Sequence, residues 1–180
     1  MKNIAIITGG DSAEYDISLL SAETVLKNLD RTKYNPFLIE IKDNNWKIKI
    51  DNEFFTINKN LKITIENKEV QFKDVFMALH GPPAENGDLQ ILFEKNNINF
   101  TCCSSEVSRL TFNKYSCNKV LKELKYNIAN SIILEKDNYD IDNIINKFKF
   151  PFIVKPNQAG SSNGISLVKK DKEIKNALNM

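Results

Sequence analysis

Six glycines and five prolines in 180 residues are too few for a fibrous or low-complexity chain. Three cysteines make an odd count, and Cys102, Cys103 and Cys117 lack metal-ligand spacing. Adjacent cysteines rarely bridge each other, so reduced thiols and a cytoplasmic location are the expectation. Charge of one sign is also missing. The net charge is +2, with lysines interleaved among Asp and Glu, which excludes the basic footprint of a nucleic-acid binder. Long apolar runs are absent too. Ile4-Ala5-Ile6-Ile7 is strand-sized, so no membrane span is expected. Met1-Lys2-Asn3 leads straight into that run without the features of a signal peptide.

What is present reads as a folded α/β chain, 42% hydrophobic and 27% charged. The wholly apolar run at residues 4–7 fits a strand covered on both faces. After Gly9-Gly10, Ala22, Val25, Leu26 and Leu29 form a helical stripe, and Phe37-Leu38-Ile39 a second strand. This order predicts a parallel βαβ unit. Trp46, Ile48 and Ile50, then Leu61, Ile63 and Ile65, alternate with polar residues, as in half-buried antiparallel strands at a domain edge. Val75-Phe76-Met77-Ala78-Leu79 is again a buried strand, followed by a helix with Leu89, Leu92 and Phe93 on one face, then a short strand at Asn99-Phe100-Thr101.

The texture changes near residue 105, dividing the chain into 1–104 and 105–180. Two helical stretches follow, the second striped by Cys117, Val120, Leu121 and Leu124. Next come a strand at Ile132-Ile133-Leu134 and a helix N-capped by Asp140 and striped by Ile141, Ile144, Ile145 and Phe148. A strand at Phe152-Ile153-Val154-Lys155, a turn at 160–164, a strand at 165–168 and a stripe of Ile174, Ala177 and Leu178 complete the chain. Residues 42–45 and 137–142 read as solvated loops.

Three segments could carry chemistry. Gly9-Gly10-Asp11-Ser12-Ala13-Glu14 lies at a strand's carboxyl end before a helix, where open α/β sheets bind ligands. It is either a tight turn or a site whose helix N-terminus favours an anion and whose Glu14 receives an ammonium group. His80, the sole histidine, is structural or, from its strand-end position, part of a site. Glu85 and Gly87 open the next helix. In the last segment, Lys155 ends an apolar strand and Gly160-Ser161-Ser162-Asn163-Gly164 can form a nest of backbone N–H groups for phosphate. An ordinary hairpin turn explains the glycines but not a lysine on a buried strand. Lys114 opposes a helix dipole, which hints at a local anion, or is a solvated surface lysine.

Four ordered signatures cover essentially the whole chain: Gly9-Gly10-x-Ser12-Ala13-Glu14 with Ile17-Ser18; Leu79-His80-Gly81 with Glu85-x-Gly87-x-Leu89-Gln90; Asn113-Lys114; and Ile153-Val154-Lys155-Pro156 with Gly160-Ser161-Ser162-x-Gly164. Together they resemble the N-terminal portion of the D-alanine–D-alanine ligases, of the ATP-grasp superfamily. The resemblance implies an N-terminal Rossmann-like (pre-ATP-grasp) parallel-sheet domain at 1–104, then the first, α+β subdomain of an incomplete ATP-grasp fold at 105–180. It implies ATP-dependent joining of two D-alanines through an acyl phosphate, for peptidoglycan synthesis, by a homodimer. Glu14 would bind the first D-alanine's ammonium and pair with Ser161, and His80 would lie near its carboxylate. Lys114, Lys155, Gly160, Ser161, Ser162 and Gly164 would hold ATP.

The chain departs from the family pattern at Ala84 and Cys102, where glycine is usual, at Asn86 and at Ala159. The Mg²⁺ ligands of the family fall in a C-terminal portion to which nothing here corresponds. No metal ligand is therefore expected in this chain, and the polypeptide alone is expected to be inactive or nearly so. Two alternatives stand beside this reading: another ATP-grasp carboxylate–amine ligase, and a non-catalytic remnant that binds ligand or dimerises.

Overall fold

The structure is a computed structural model describing residues 1–65, 68–135 and 138–179, with the side chain of Ile65 outside the description. Asp137, in one of the expected loops, also lies outside the described residues. Two compact units divide the chain, Met1–Arg109 and Leu110–Met180. The division falls a few residues beyond the 104/105 boundary expected from sequence texture.

The first unit opens with β1 (Lys2–Gly9), α1 (Tyr15–Asn28) and β2 (Tyr34–Lys42), and the two strands pair in parallel with Ile6 beside Leu38. Two antiparallel strands extend the β2 edge: β3 (Asn45–Ile50) and β4 (Glu53–Thr56). Both connections are two-residue turns with positive φ, Asp43-Asn44 and Asp51-Asn52, the backbone signs of a type I′ hairpin. A separate antiparallel pair, β5 (Lys62–Ile65) and β6 (Lys68–Gln71), precedes β7 (Asp74–Met77), α2 (Asp88–Lys95) and β8 (Asn99–Phe100). The main sheet order is β4-β3-β2-β1-β7-β8, with β1, β2, β7 and β8 parallel.

The apolar run of β1 is covered on both faces, as its composition predicts. Ala5 and Ile7 enter the larger core with Ile39, Ile48, Phe72 and Phe93, whereas Ile6 packs with Ala22 of α1 and Ala78. Leu61 departs from the expected alternation. It is fully buried but sits before β5 with a φ of +56°, and its carbonyl accepts the Phe72 N–H.

The boundary helix α3 (Ser105–Phe112) is followed in the second unit by α4 (Lys114–Glu123) and α5 (Ile141–Lys147). Asp140 caps α5 through the Asp142 N–H, as expected. Then come the antiparallel pair β9 (Phe152–Val154) and β10 (Ser166–Val168), one 3₁₀ turn and α6 (Ile174–Leu178). Ile144, Val168, Ile174 and Ala177 form the core. One expectation is corrected here. Ile132-Ile133-Leu134 is not a strand: Ile132 and Leu134 pack on the core from irregular backbone, and Ile133 is exposed. The stripe on α4 is only half-buried, with no fully buried residue and Leu124 63% exposed.

Candidate functional site

In the first unit, two loops separated by most of the domain's sequence meet at the carboxyl ends of β1 and β7. The Asp11 N–H donates to the Pro82 carbonyl at 3.1 Å, and Ser12 Oγ donates to the His80 carbonyl at 3.4 Å. Gly81 permits this approach. Its φ is +73°, and a Cβ there would lie 2.5 Å from Ser12 Oγ. Glu14 occupies the N-cap position of α1, yet its side chain makes no capping bond. Its carboxylate instead faces Gly81, with Oε2 3.8 Å from where that Cβ would stand.

His80 is held at three points. Its backbone N–H donates to Ser18 Oγ at 2.8 Å, its carbonyl accepts from Ser12, and its Nε2 lies 2.9 Å from Ser21 Oγ. Ser18 is fully buried and also donates to the Glu14 carbonyl at 3.2 Å. Glu14, Ser18 and Ser21 fall four and three residues apart, on one face of α1. Sequence reading missed Ser21; the serine spacing from Glu14 was the available signal. Beside the loop, the Tyr15 hydroxyl donates to Glu40 at 2.7 Å, and Lys42 Nζ sits 4.5 Å from its ring centre. The hydrogen bond to Glu40, with partial burial, pushes Tyr15 up to about 12.

In the second unit, the turn that joins β9 to β10 and the start of α4 are bound together. Asn113 caps α4 by accepting the Ser116 N–H at 2.9 Å. Asn157 donates to the same Asn113 oxygen at 3.1 Å, accepts the Tyr115 N–H on its side chain at 2.9 Å and the Lys114 N–H on its carbonyl at 3.1 Å. These bonds deliver the Lys114 ammonium to the Ala159 carbonyl. Ser161 and Ser162 are exposed and take consecutive positive φ values of +48° and +57°. Asn157 was not singled out from the sequence.

Lys155 is not on a buried strand, contrary to the expectation from its apolar neighbours. β9 turns Phe152 and Val154 toward the core and leaves Ile153 and Lys155 open, so the lysine is exposed just beyond a one-sided strand. Among the described residues, no group of three or more His, Cys, Asp or Glu side chains converges as a metal site. No helix among them is long and apolar enough to cross a membrane.

Residues 3–103 match the family model for the D-ala D-ala ligase N-terminus, and residues 120–180 match the model for the D-ala D-ala ligase C-terminus. The chain belongs to the D-alanine–D-alanine ligase family. A family member from Azobacteroides pseudotrichonymphae is 40% identical over 99% of this chain and 56% of its own length. One from Flavobacterium johnsoniae is 42% identical over 97% of this chain and 55% of its own length. The chain thus spans about half the length of the curated ligases it matches. D-alanyl-alanine synthetase A from Vibrio cholerae shares the fold with a TM-score of 0.86 at 23% identity, over 99% of this chain and 55% of that one. The D-Ala:D-Ser ligase VanG from Enterococcus faecalis superposes with a TM-score of 0.85 at 26% identity, over 99% of this chain and 58% of that one. A ligase structure from Bacillus anthracis complexed with ATP also matches, with a TM-score of 0.76 at 23% identity, over 99% of this chain and 55% of that one.

Proposed function

We propose that this chain carries the first-substrate and phosphate-binding portions of an ATP-dependent D-alanine–D-alanine ligase serving peptidoglycan synthesis in the cytoplasm. The observation that carries this reading is the meeting of the Ser12 and His80 loops beside the Glu14 carboxylate. A carboxylate and an imidazole at the two sides of that junction suit the ammonium and carboxylate of one small zwitterion. Glu14 attracts the ammonium, and His80 offers its ring to the carboxylate from a backbone fixed by Ser12 and Ser18.

In the second unit, Lys114 and Lys155 supply positive charge. The backbone of Gly160, Ser161, Ser162 and Gly164 supplies N–H donors for the ATP phosphates. The consecutive left-handed serines support this fit, since such backbone presents successive N–H groups to an anion. ATP supplies the phosphoryl group that activates the first D-alanine carboxylate, and the second D-alanine's amine then displaces it as phosphate. These residues contribute orientation and charge rather than covalent chemistry. Ser161 joins Glu14 in the proposed catalytic set. Mg²⁺ belongs to the proposed reaction without a ligand set among the described residues, and a homodimer is the proposed assembly.

The test is ADP release by the purified chain with ATP and Mg²⁺, comparing D-alanine, L-alanine and no amino acid, alongside calorimetric binding of each. D-alanine-dependent ADP release lost in Ser161→Ala establishes the ligase activity. D-alanine and ATP binding without turnover is the result expected of these portions acting without the rest of the ligase, and it is shared with the binding-module alternative. Equal response to L-alanine, or no binding of either, contradicts the reading.

A further inference from the structure

Cys102 and Cys103 are adjacent and both exposed, and the proposed reaction uses neither. Cys102 has a φ of +145°, in the backbone region that favours glycine, so its side chain is carried at a strained position. Its sulfur rests 3.5 Å from Nε2 of Gln90, a residue only 2% exposed. The same Nε2 donates to the Ala84 carbonyl at 2.7 Å, in the loop that carries His80, and to Ser108 Oγ at 3.2 Å. Ser108 in turn donates to the Cys103 carbonyl at 3.5 Å. The Cys102 sulfur and the Cys103 backbone therefore rest on a polar support shared with the His80 loop.

The chemistry of the pair narrows what it can take. Neighbouring Cα atoms stand about 3.8 Å apart across a trans peptide, short of the roughly 4.4–6.8 Å that a disulfide prefers. A direct bond between these sulfurs is strained. Burial raises the Cys102 thiol above its ordinary value, and the neighbouring Cys103 adds to this against an opposing hydrogen bond from Gln90. The raised thiol carries less thiolate and is a weaker nucleophile toward electrophiles that require it. No further His, Asp or Glu completes a metal site with the pair among the described residues. A soft centre needing only two sulfurs meets these conditions, because inserting it between them widens the ring that a disulfide would close too tightly.

We propose that Cys102 and Cys103 form a dithiol site that captures a monosubstituted trivalent arsenical, R–As(OH)₂, as a cyclic dithioarsinite. Two S–As bonds form and two As–O bonds break. Each thiol proton leaves with a hydroxide as water, and arsenic keeps its oxidation state. Cys117 takes no part.

The probe is phenylarsine oxide, which hydrates to this species, with adducts counted by intact mass. The expected result is one adduct that survives excess 2-mercaptoethanol and is removed by 2,3-dimercaptopropanol. Cys103→Ser and Cys102→Gly, the latter suited to the +145° backbone, should each release the arsenical to the monothiol at least tenfold faster, while Cys117→Ser behaves as the parent. A parent adduct stripped readily by 2-mercaptoethanol overturns the proposal. So does a resistant adduct in Cys103→Ser, or loss of resistance in Cys117→Ser.

Discussion

Ser21 Oγ lies 2.9 Å from Nε2 of His80, a helix residue and a strand-end histidine separated by 59 positions. The contact occupies one ring nitrogen and sets the plane of the imidazole. Ser21→Ala should therefore weaken D-alanine binding by about fivefold, the loss of one hydrogen bond worth about 1 kcal/mol. Ser21→Thr should restore most of it. Calorimetric titration of the three proteins checks this, and unchanged affinity in Ser21→Ala would show that the serine does not position the ring.

Ser18 makes a different contribution. Its buried hydroxyl accepts from His80 N–H and donates to the Glu14 carbonyl. Ser18→Ala leaves both groups without that partner and should destabilise the first unit by about 1–3 kcal/mol. Urea denaturation followed by the fluorescence of Trp46, the sole tryptophan, measures it.

Gly81→Ala should separate the two loops. A side chain in left-handed backbone costs about 1–2 kcal/mol, and here the Cβ would also press on Ser12 Oγ at 2.5 Å. D-alanine affinity should fall by at least tenfold, with partial recovery when Ser12→Gly is added. Absence of recovery would place the damage elsewhere than in the Ser12 contact.

Asn157→Ala should act on the nucleotide alone. It removes the side-chain bonds to Asn113 and Tyr115 that hold the start of α4 to the β9–β10 turn. ATP affinity should fall by about tenfold while D-alanine affinity stays unchanged, measured by separate titrations. A loss in both would mean that the residue supports the fold generally.

Tyr15 gives a pH signature. Its raised value means that the folded protein keeps the phenol protonated where the unfolded chain has lost the proton. The stability linked to it is present below about pH 10 and is lost as pH rises toward 12. Glu40→Gln should return the ultraviolet titration of Tyr15 toward 10.

Those interactions show where the sequence was readable. β1, with four consecutive apolar residues, announced a strand covered on both faces, and Ile6 and Ile7 do enter different cores. The motifs around Glu14, His80 and Lys114 were visible because glycine, histidine and charge mark local backbone. β4 was missed because Phe54 and Phe55 are adjacent and both exposed, so no period of two appears. The Asp43-Asn44 turn was read only as a loop, although its two turn-forming residues specify a hairpin. Ile132-Ile133-Leu134 has strand composition but pairs with no strand. An apolar run such as Phe152-Ile153-Val154 implies a strand covered on both faces, whereas β9 is covered on one and leaves Lys155 exposed. Ser21 and Asn157 act through partners 59 and 44 residues away; the spacing from Glu14 marks the helix face of Ser21 but not its partner, and nothing local marks Asn157.

The most direct measurement is a D-alanine titration followed through the imidazole C–H resonances of His80, which need no assignment because the chain has one histidine. The expected result is a saturable shift with D-alanine, weakened at least tenfold for L-alanine and abolished in Glu14→Gln. A His80 signal indifferent to D-alanine, or equally responsive to both enantiomers, would contradict the placement of the first substrate between Glu14 and His80.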